Sequence, residues 1–579
     1  MYSRLIISQI DRTFDPEVDV ALGPWCFIGA ENIYPSWVDL DFLDVFRGVE
    51  DLDEAEIKCR RLAVFLISKW TTSLNQKHKV NYSSTYWRFV LNSWIFASVQ
   101  GLWARYKHID TFIDKYAGHT LEVELAPATV PQKFFGVYEF QHHQRRSYKF
   151  DYWVSSLIIR KLAPNTWTIM EPNRGRGWES LDHIPETPPI KILEKKSAMG
   201  TFSRKLFGRL RVDSVPGTKI SKLLFSLLLG IIPEKGIGQN QYVFPTENVS
   251  GEFPPKFIEV LDYFLESTLP DSYGSSFLTL DKKALKKEFS TGRIFIGNTM
   301  PYSEVKRLEL AHALERGEKL ISVQHGSGSG ITRRLSFAEE MEYSFHAYLT
   351  WGWTEQGTYS CNFIPLPSPL LSKYRNKHKE KNTSLIMVAT RMDVREGKVF
   401  DNLRPLDWIA YRSMKLGFIE GLDLAPRNNL IYYAYTRGDM DLDDVNFLDT
   451  KLKGLRVVSK GLNKDMINCR LLLLDHPGTT LHISLAANVP TVCYWNPDSF
   501  YIAAQAEPYF ELLRQCNMLF NDPIAAAEHI NKIWPNIDLW WLSDDVQNAR
   551  EAWSNNFART DRFWWWAWIK ALVKLQRSD

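Results

Sequence analysis

Leu471–Pro497, LLLLDHPGTTLHISLAANVPTVCYWNP, is the stretch on which the reading of this chain turns. An apolar run, Leu471–Leu474, stops at Asp475-His476-Pro477-Gly478-Thr479-Thr480. A helix-compatible segment, Leu481–Ala487, follows, and then a second short strand, Thr491–Trp495. Strand, polar Gly/Thr turn, helix, strand is how an open α/β sheet builds a ligand crevice at the carboxyl ends of its strands. Backbone N–H groups at the helix start, with two hydroxyls beside them, suit a phosphate. An ordinary turn whose threonines only cap the helix has the same pattern, so the neighbouring segments carry the decision.

Working back from that stretch, Ser384–Ala389 reads as a strand closing on Thr390-Arg391, Pro405–Leu422 as a helix, and Leu430–Tyr435 as a strand closing on Thr436-Arg437. Arg391 and Arg437 each stand just beyond a strand. Arginine binds phosphate bidentately and stays charged, which suits a leaving nucleotide; the alternative is a surface position for either. Further back, Arg293–Ile296 is a strand, Pro301 opens a helix over Tyr302–Arg316, and Leu320–Val323 is a strand ending at Gln324-His325-Gly326-Ser327-Gly328-Ser329-Gly330. A histidine at a strand's carboxyl end, followed by alternating glycines, faces the crevice with backbone free to approach a ligand. Imidazole is a natural base for an acceptor hydroxyl, so His325 is the candidate catalyst; a hinge with histidine as a turn residue is the plainer reading.

The N-terminal half begins with a strand in Arg4–Ile10, and Pro24–Phe27 lies near a second. Leu52–Leu74 has helical apolar spacing with acidic residues in its first turn, and an aromatic helix runs through Trp94 and Trp103 to Tyr106. Residues 120–185 alternate in places, as in Leu121–Leu125 and Phe134–Phe140, and read as strands and loops. Residues 191–222 carry nine basic side chains against two acidic ones, with Phe202, Leu206, Phe207 and Leu210 interleaved. Such a segment docks on an anionic membrane surface, meets a lipid-diphosphate acceptor, or is a solvated basic linker. The tail contains RFWWWAWIKALVKL, with Lys570 and Lys574 on one helical face; it packs back onto the protein or lies in a membrane interface.

Hydrophobic content of 45% with 24% charge describes a globular chain, and 579 residues can bury a full core. A net charge of +3 without a recognisable binding module argues against a nucleic-acid partner. The 21 Trp, 24 Tyr and 33 Phe supply core, carbohydrate-stacking faces or membrane belts. Six cysteines lie far apart with no CxxC pair, so neither a metal site nor a disulfide framework is expected and a reducing cytoplasm fits. The N-terminus has no signal-peptide pattern, and the longest apolar runs are shorter than the ~20 residues that span a bilayer.

Several motifs then occur in a telling order: Gly23-Pro24-Trp25-Cys26, Leu74-Asn75-Gln76-Lys77-His78, Ser83-Ser84-Thr85-Tyr86-Trp87-Arg88, Gln324-His325-Gly326 and Thr479-Thr480. Together they resemble a bacterial family of large transferases associated with O-antigen and other surface-polysaccharide biosynthesis, over about residues 5–500. The resemblance implies two Rossmann-like domains facing across a cleft, as in glycosyltransferase-B folds, with extra helical elements. The domains would be 1–335 on the acceptor side, 336–530 on the nucleotide-donor side, and 531–579 as a Trp-rich helical tail. It implies a nucleotide-sugar co-substrate with no metal or other cofactor, a glycan or lipid-linked glycan acceptor, and work in the cytoplasm or on the inner face of its membrane.

Donor phosphates would meet Arg391, Arg437, Asp475, His476, Gly478, Thr479 and Thr480. His482 stands where the family often has Glu, a position suited to the donor ribose, which leaves the nucleotide open. Gln324, Gly326, Ser327, His78, Tyr86, Trp87 and Arg88 would lie on the acceptor side; read from the residues alone, His78 and the Tyr-Trp-Arg run equally pack one helix on another. Two other functions fit: a polyol-phosphate transferase of the teichoic-acid type, and a non-catalytic glycan-binding or assembly protein.

Overall fold

The structure is a computed structural model of the 579-residue chain. It describes residues 2–10, 14–46, 48–129, 133–171, 210–212, 247–286, 294–297, 303–326, 328–355, 359–391, 399, 403–435 and 441–577. Its named strands form three sheets in which every pairing is parallel. The first contains β1 (Arg4–Ile6), β2 (Asp19–Ala21), β3 (Glu122–Glu124) and β4 (Thr168–Met170), in the order β2-β1-β3-β4. The second runs in sequential order through β5 (Leu210–Val212), β6 (Ile294–Gly297), β7 (Lys319–Val323), β8 (Ala347–Thr350) and β9 (Asn362–Pro365). The third contains β10 (Leu385–Val388), β11 (Leu430–Tyr433), β12 (Arg456–Val458), β13 (Leu471–Leu474), β14 (Thr491–Tyr494) and β15 (Leu519–Phe520), in the order β12-β11-β10-β13-β14-β15.

The α/β class with parallel sheets is therefore the one expected, and a small N-terminal sheet is added to it. The second sheet continues past residue 335: β8 and β9 pair onward from β7. All four leucines of β13 are buried, because a parallel sheet covered on both faces has strands that are apolar throughout. Of the basic segment 191–222, only the backbone of β5 belongs to the described residues; the remainder lies outside them.

Helices fill the N-terminal half: α1 (Val49–His78), α2 (Ser84–Tyr116), α3 (Val137–Arg146), α4 (Tyr148–Leu162), α5 (Pro255–Thr268), α6 (Phe277–Leu285) and α7 (Glu304–Glu315). Ser83 caps α2 by accepting from the Tyr86 N–H at 3.3 Å. Two of these helices, α3 and α4, overturn the strand-and-loop reading of 120–185 over residues 137–162, while β3 falls within the strand expected at Leu121–Leu125 and residues 172–185 lie outside the described residues. Most of α4 is buried, so its sequence YKFDYWVSSLIIRKL has no broad polar face to reveal a helical period. The alternation in Phe134–Phe140 straddles the true helix start at Val137. Much of the aromatic load is core here: Trp87, Trp94 and Trp153 are fully buried, and Trp153 stacks on Phe264 at 5.7 Å.

Long-range polar contacts tie this half to the C-terminal half. Arg60 of α1 donates to Glu339 at 2.5 Å; Glu339 lies in α8 (Ser336–Met341). Arg404, the N-cap of α9 (Pro405–Glu420), reaches Asp44 at 3.0 Å, and the Asp443 N–H donates to Glu31 at 3.1 Å. At the C-terminus come α11 (Asp544–Phe557) and α12 (Trp564–Arg577), while α10 (Thr479–Ala487) follows β13 directly.

Candidate functional site

Numbered by position, the third sheet has the order 3-2-1-4-5-6 of dinucleotide-binding sheets, which places a crevice where the order reverses. That switch point lies between β10 and β13, whose residues Val388 and Leu474 are direct partners. Immediately beyond them come Ala389-Thr390-Arg391 and Asp475-His476. The topology thus brings Arg391, Asp475, His476, Gly478, Thr479 and Thr480 to one end of the sheet.

Asp475 is buried and meets His476 Nδ1 at 2.8 Å. With Nδ1 on the carboxylate, Nε2 is turned toward the start of α10. A Cβ on Gly478 would stand 2.6 Å from that Nε2, so glycine is what lets the imidazole lie over the helix end. Thr479 and Thr480 are half-buried in the first turn of α10. Arg391 is oriented by Asp441, which accepts from its Nε at 2.8 Å. Arg437 lies outside the described residues.

Lys415 of α9 was not singled out from the sequence. Its ammonium is fully buried, donates to Asp444 at 2.6 Å and to the Tyr432 hydroxyl at 2.8 Å, and stands 3.7 Å from Asp475. It thus underpins the Asp475–His476 pair from below. A signal existed: Trp408, Tyr411, Lys415 and Phe418 share the buried helical face, and a lysine in an apolar stripe needs a partner.

On the second sheet, His325 follows β7 with 61% of its side chain exposed, and its Nδ1 lies 3.5 Å from Glu342 Oε1. The Glu342 carboxylate is buried and accepts from the Ser322 hydroxyl at 3.4 Å. Its hydrogen bond and charge raise the imidazole pKa above the ordinary value, against the opposing effect of burial. Nδ1 is thus the ring nitrogen that faces the carboxylate. Glu342 was also missed, because nothing in SFAEEMEYSF distinguishes the one glutamate that folds back on His325.

Gln324 holds this turn and does not face a ligand: it is buried, its Oε1 accepts from the Trp351 N–H at 2.8 Å and Trp353 Nε1 at 2.9 Å, and its Nε2 donates to Gly326 O at 2.9 Å. A Cβ on Gly326 would meet nothing within 4 Å, so the backbone there is open to approach. Ser327 lies outside the described residues. Gly330 has φ +84° and its Cβ would strike the Trp353 ring at 2.5 Å, so glycine is required there.

Several expected contacts are corrected. His78 is buried, with Nε2 at 2.8 Å from Tyr273 O. Tyr86 and Trp87 are fully buried; Tyr86 donates to Asp281 at 2.9 Å and Trp87 Nε1 to Asn75 at 2.7 Å. Arg88 is directed at Glu340, 3.7 Å away. Tyr86 and Trp87 build the helical core, since α2 is buried on nearly every side, His78 is buried at the end of α1, and Arg88 is partly buried. His482 is fully buried between Trp351 and Trp553, with ring centroids at 5.6 and 5.8 Å.

A 580 Å³ cavity opens at the amino ends of β10, β11 and β12, beside Thr383, Asn429 and Arg456. That is the end of the sheet away from the switch point. A smaller one, of 310 Å³, adjoins the His325 turn beside Gly330, Arg334, Tyr359 and Gln505. No cluster of three or more metal-ligating side chains occurs among the described residues.

No protein of curated function matches this chain. Among solved structures, MurG of Acinetobacter baumannii is 9% identical, covering 53% of this chain and 78% of its own, with a TM-score of 0.31. A mutant O-GlcNAc transferase of Thermobaculum terrenum is 11% identical, covering 64% and 68%, with a TM-score of 0.29. Likenesses this faint carry no argument. A family model matches residues 3–572, nearly the whole chain, and by that match the protein belongs to the LIC12162 family of transferases.

Proposed function

We propose that this transferase moves a sugar from a nucleotide-activated donor to a bacterial surface glycan, an O-antigen or capsule chain presented on lipid at the inner face of the cytoplasmic membrane. The observation that carries the reading is the strand order of the third sheet, whose switch point gathers Arg391, His476 and the start of α10. In this reading the donor diphosphate sits there, its charge met by the guanidinium, by the histidine and by backbone N–H groups at the helix start. The same groups stabilise the charge that builds on the leaving nucleotide.

His325 then serves as base: Nε2 takes the proton of the acceptor hydroxyl as its oxygen attacks the anomeric carbon, and Glu342 stabilises the imidazolium that forms. The second sheet, which runs on through β9 to Pro365, and the third sheet meet one donor from opposite sides of a cleft, with 531–579 as an appended tail.

The test is nucleotide release by the purified protein from a panel of CMP-, UDP- and GDP-sugars and CDP-glycerol, with and without extracted lipid-linked glycan. Acceptor-dependent turnover of one nucleotide sugar is expected. Turnover of CDP-glycerol alone would replace the sugar with a polyol phosphate. Glycan binding with no nucleotide turnover would make the protein an assembly factor.

A further inference from the structure

The tail helix α12 has a packed apolar face and an exposed face that mixes aromatic and basic side chains. On one, Trp564, Trp568, Leu572 and Leu575 are buried with Ile321 of β7 and Ala347 and Leu349 of β8, and Trp568 Nε1 donates to Pro367 O at 2.9 Å. On the other, Trp566 is 47% exposed, and Phe563, in the turn just before the helix, is 57% exposed. Arg562, Lys570 and Lys574 are exposed beside them. Positions 566, 570 and 574 recur every four residues along α12 and so form one stripe, with Arg562 in the turn that leads into it. Lys570 Nζ lies 5.2 Å from the Trp566 ring and the Arg562 guanidinium 5.6 Å from the Phe563 ring. No acidic residue occurs between Arg562 and Leu575.

We propose that this stripe docks the protein on a membrane surface rich in anionic lipid. The aromatic rings suit the headgroup level, where an indole keeps its polar edge wet and its face in hydrocarbon. The three cations answer the negative charge of the phosphates. A second copy of the chain is a poor occupant, since a two-fold contact through this stripe sets its lysines against their own copies. Insertion across the bilayer is not the mode, because no helix among the described residues is long and apolar enough to cross a membrane. As the opposite face of α12 is packed on β7 and β8, docking would also fix how the His325 turn stands above the lipid. The inference extends the membrane-surface part of the proposed function, and it requires no catalytic step.

The test is co-sedimentation of the full chain with vesicles of phosphatidylcholine, with and without phosphatidylglycerol, at low and high salt. Wild type is expected to bind the anionic vesicles only, and less at high salt. Lys570→Glu/Lys574→Glu should weaken binding at least about tenfold, and Phe563→Ser/Trp566→Ser by a similar factor, both with unchanged thermal unfolding. Absence of wild-type binding, or wild-type binding by both double variants, would overturn the proposal. So would loss of a lipid-free dimer by the variants without any vesicle binding, which would make the stripe a self-contact. Transfer to a soluble acceptor by the variants is expected to persist, which separates this inference from the transferase reading.

Discussion

Trp351 meets His482 edge-to-face, with ring centroids 5.6 Å apart and planes at 84°. The same indole donates from Nε1 to Gln324 O at 3.1 Å, and His482 stacks in turn on Trp553 of α11. The His325 turn and the helix that follows β13 are therefore joined through contiguous packed side chains, although they belong to different sheets.

If His482 is a packing residue, His482→Phe should leave nucleotide affinity within about twofold of wild type, since the ring is kept and its loss from a donor site would cost tenfold or more. Isothermal calorimetry with the donor nucleotide reads this. A lost affinity without lost stability would return His482 to the donor site.

Glu342→Gln removes the charge that keeps His325 protonated to higher pH. A base must be unprotonated to act, so kcat/KM rises with pH through the His325 pKa. In the variant that rise should move to lower pH, with a reduced plateau because the imidazolium is less stabilised. The wild-type ion pair's contribution to stability is full below about pH 6.5 and is lost as pH rises through the raised pKa. The difference in melting temperature between wild type and variant should therefore close on the alkaline side.

Lys415→Met leaves the buried Asp475 and the partly buried Asp444 without this cation. Breaking such a group from one side costs about 3–5 kcal/mol, to be read by thermal or urea unfolding. Adding Asp444→Asn should recover part of the loss. If Lys415→Met unfolds like wild type, the network contributes nothing measurable.

Tyr86→Phe should cost about 1.5–3 kcal/mol through the lost hydrogen bond to a charged acceptor, while kcat and KM stay as they are. Burial pushes the Asp281 pKa up, yet hydrogen bonds from His312, Tyr82 and Tyr86 bring it below the ordinary 3.8. Its contribution is present above that value and lost as pH falls through the depressed one. The stability gap between wild type and Tyr86→Phe should narrow over that acid range.

The third sheet was legible because buried parallel strands are short apolar runs with abrupt polar ends: Leu471–Leu474 was read to the residue, and Leu385–Val388 lies within the strand expected at Ser384–Ala389. The His325 turn was legible for the same reason. Glu342 and Lys415 were not, because each acts on a group brought near only by tertiary packing. Tyr86 and Trp87 misled because an aromatic, basic run in sequence does not tell whether its helix has a wet face, and α2 has almost none.

The hydrogen bond from the Asp443 N–H to Glu31 joins residues 412 positions apart. Its meaning lies in the order of synthesis. At ~5–20 residues per second, a ribosome needs roughly 20–80 s after making Glu31 before Asp443 exists. Throughout that interval the N-terminal segment waits without its final partner, exposed to chaperones and to neighbouring chains. Slow passages in translation of the intervening region would lengthen that exposure and lower the yield of native protein.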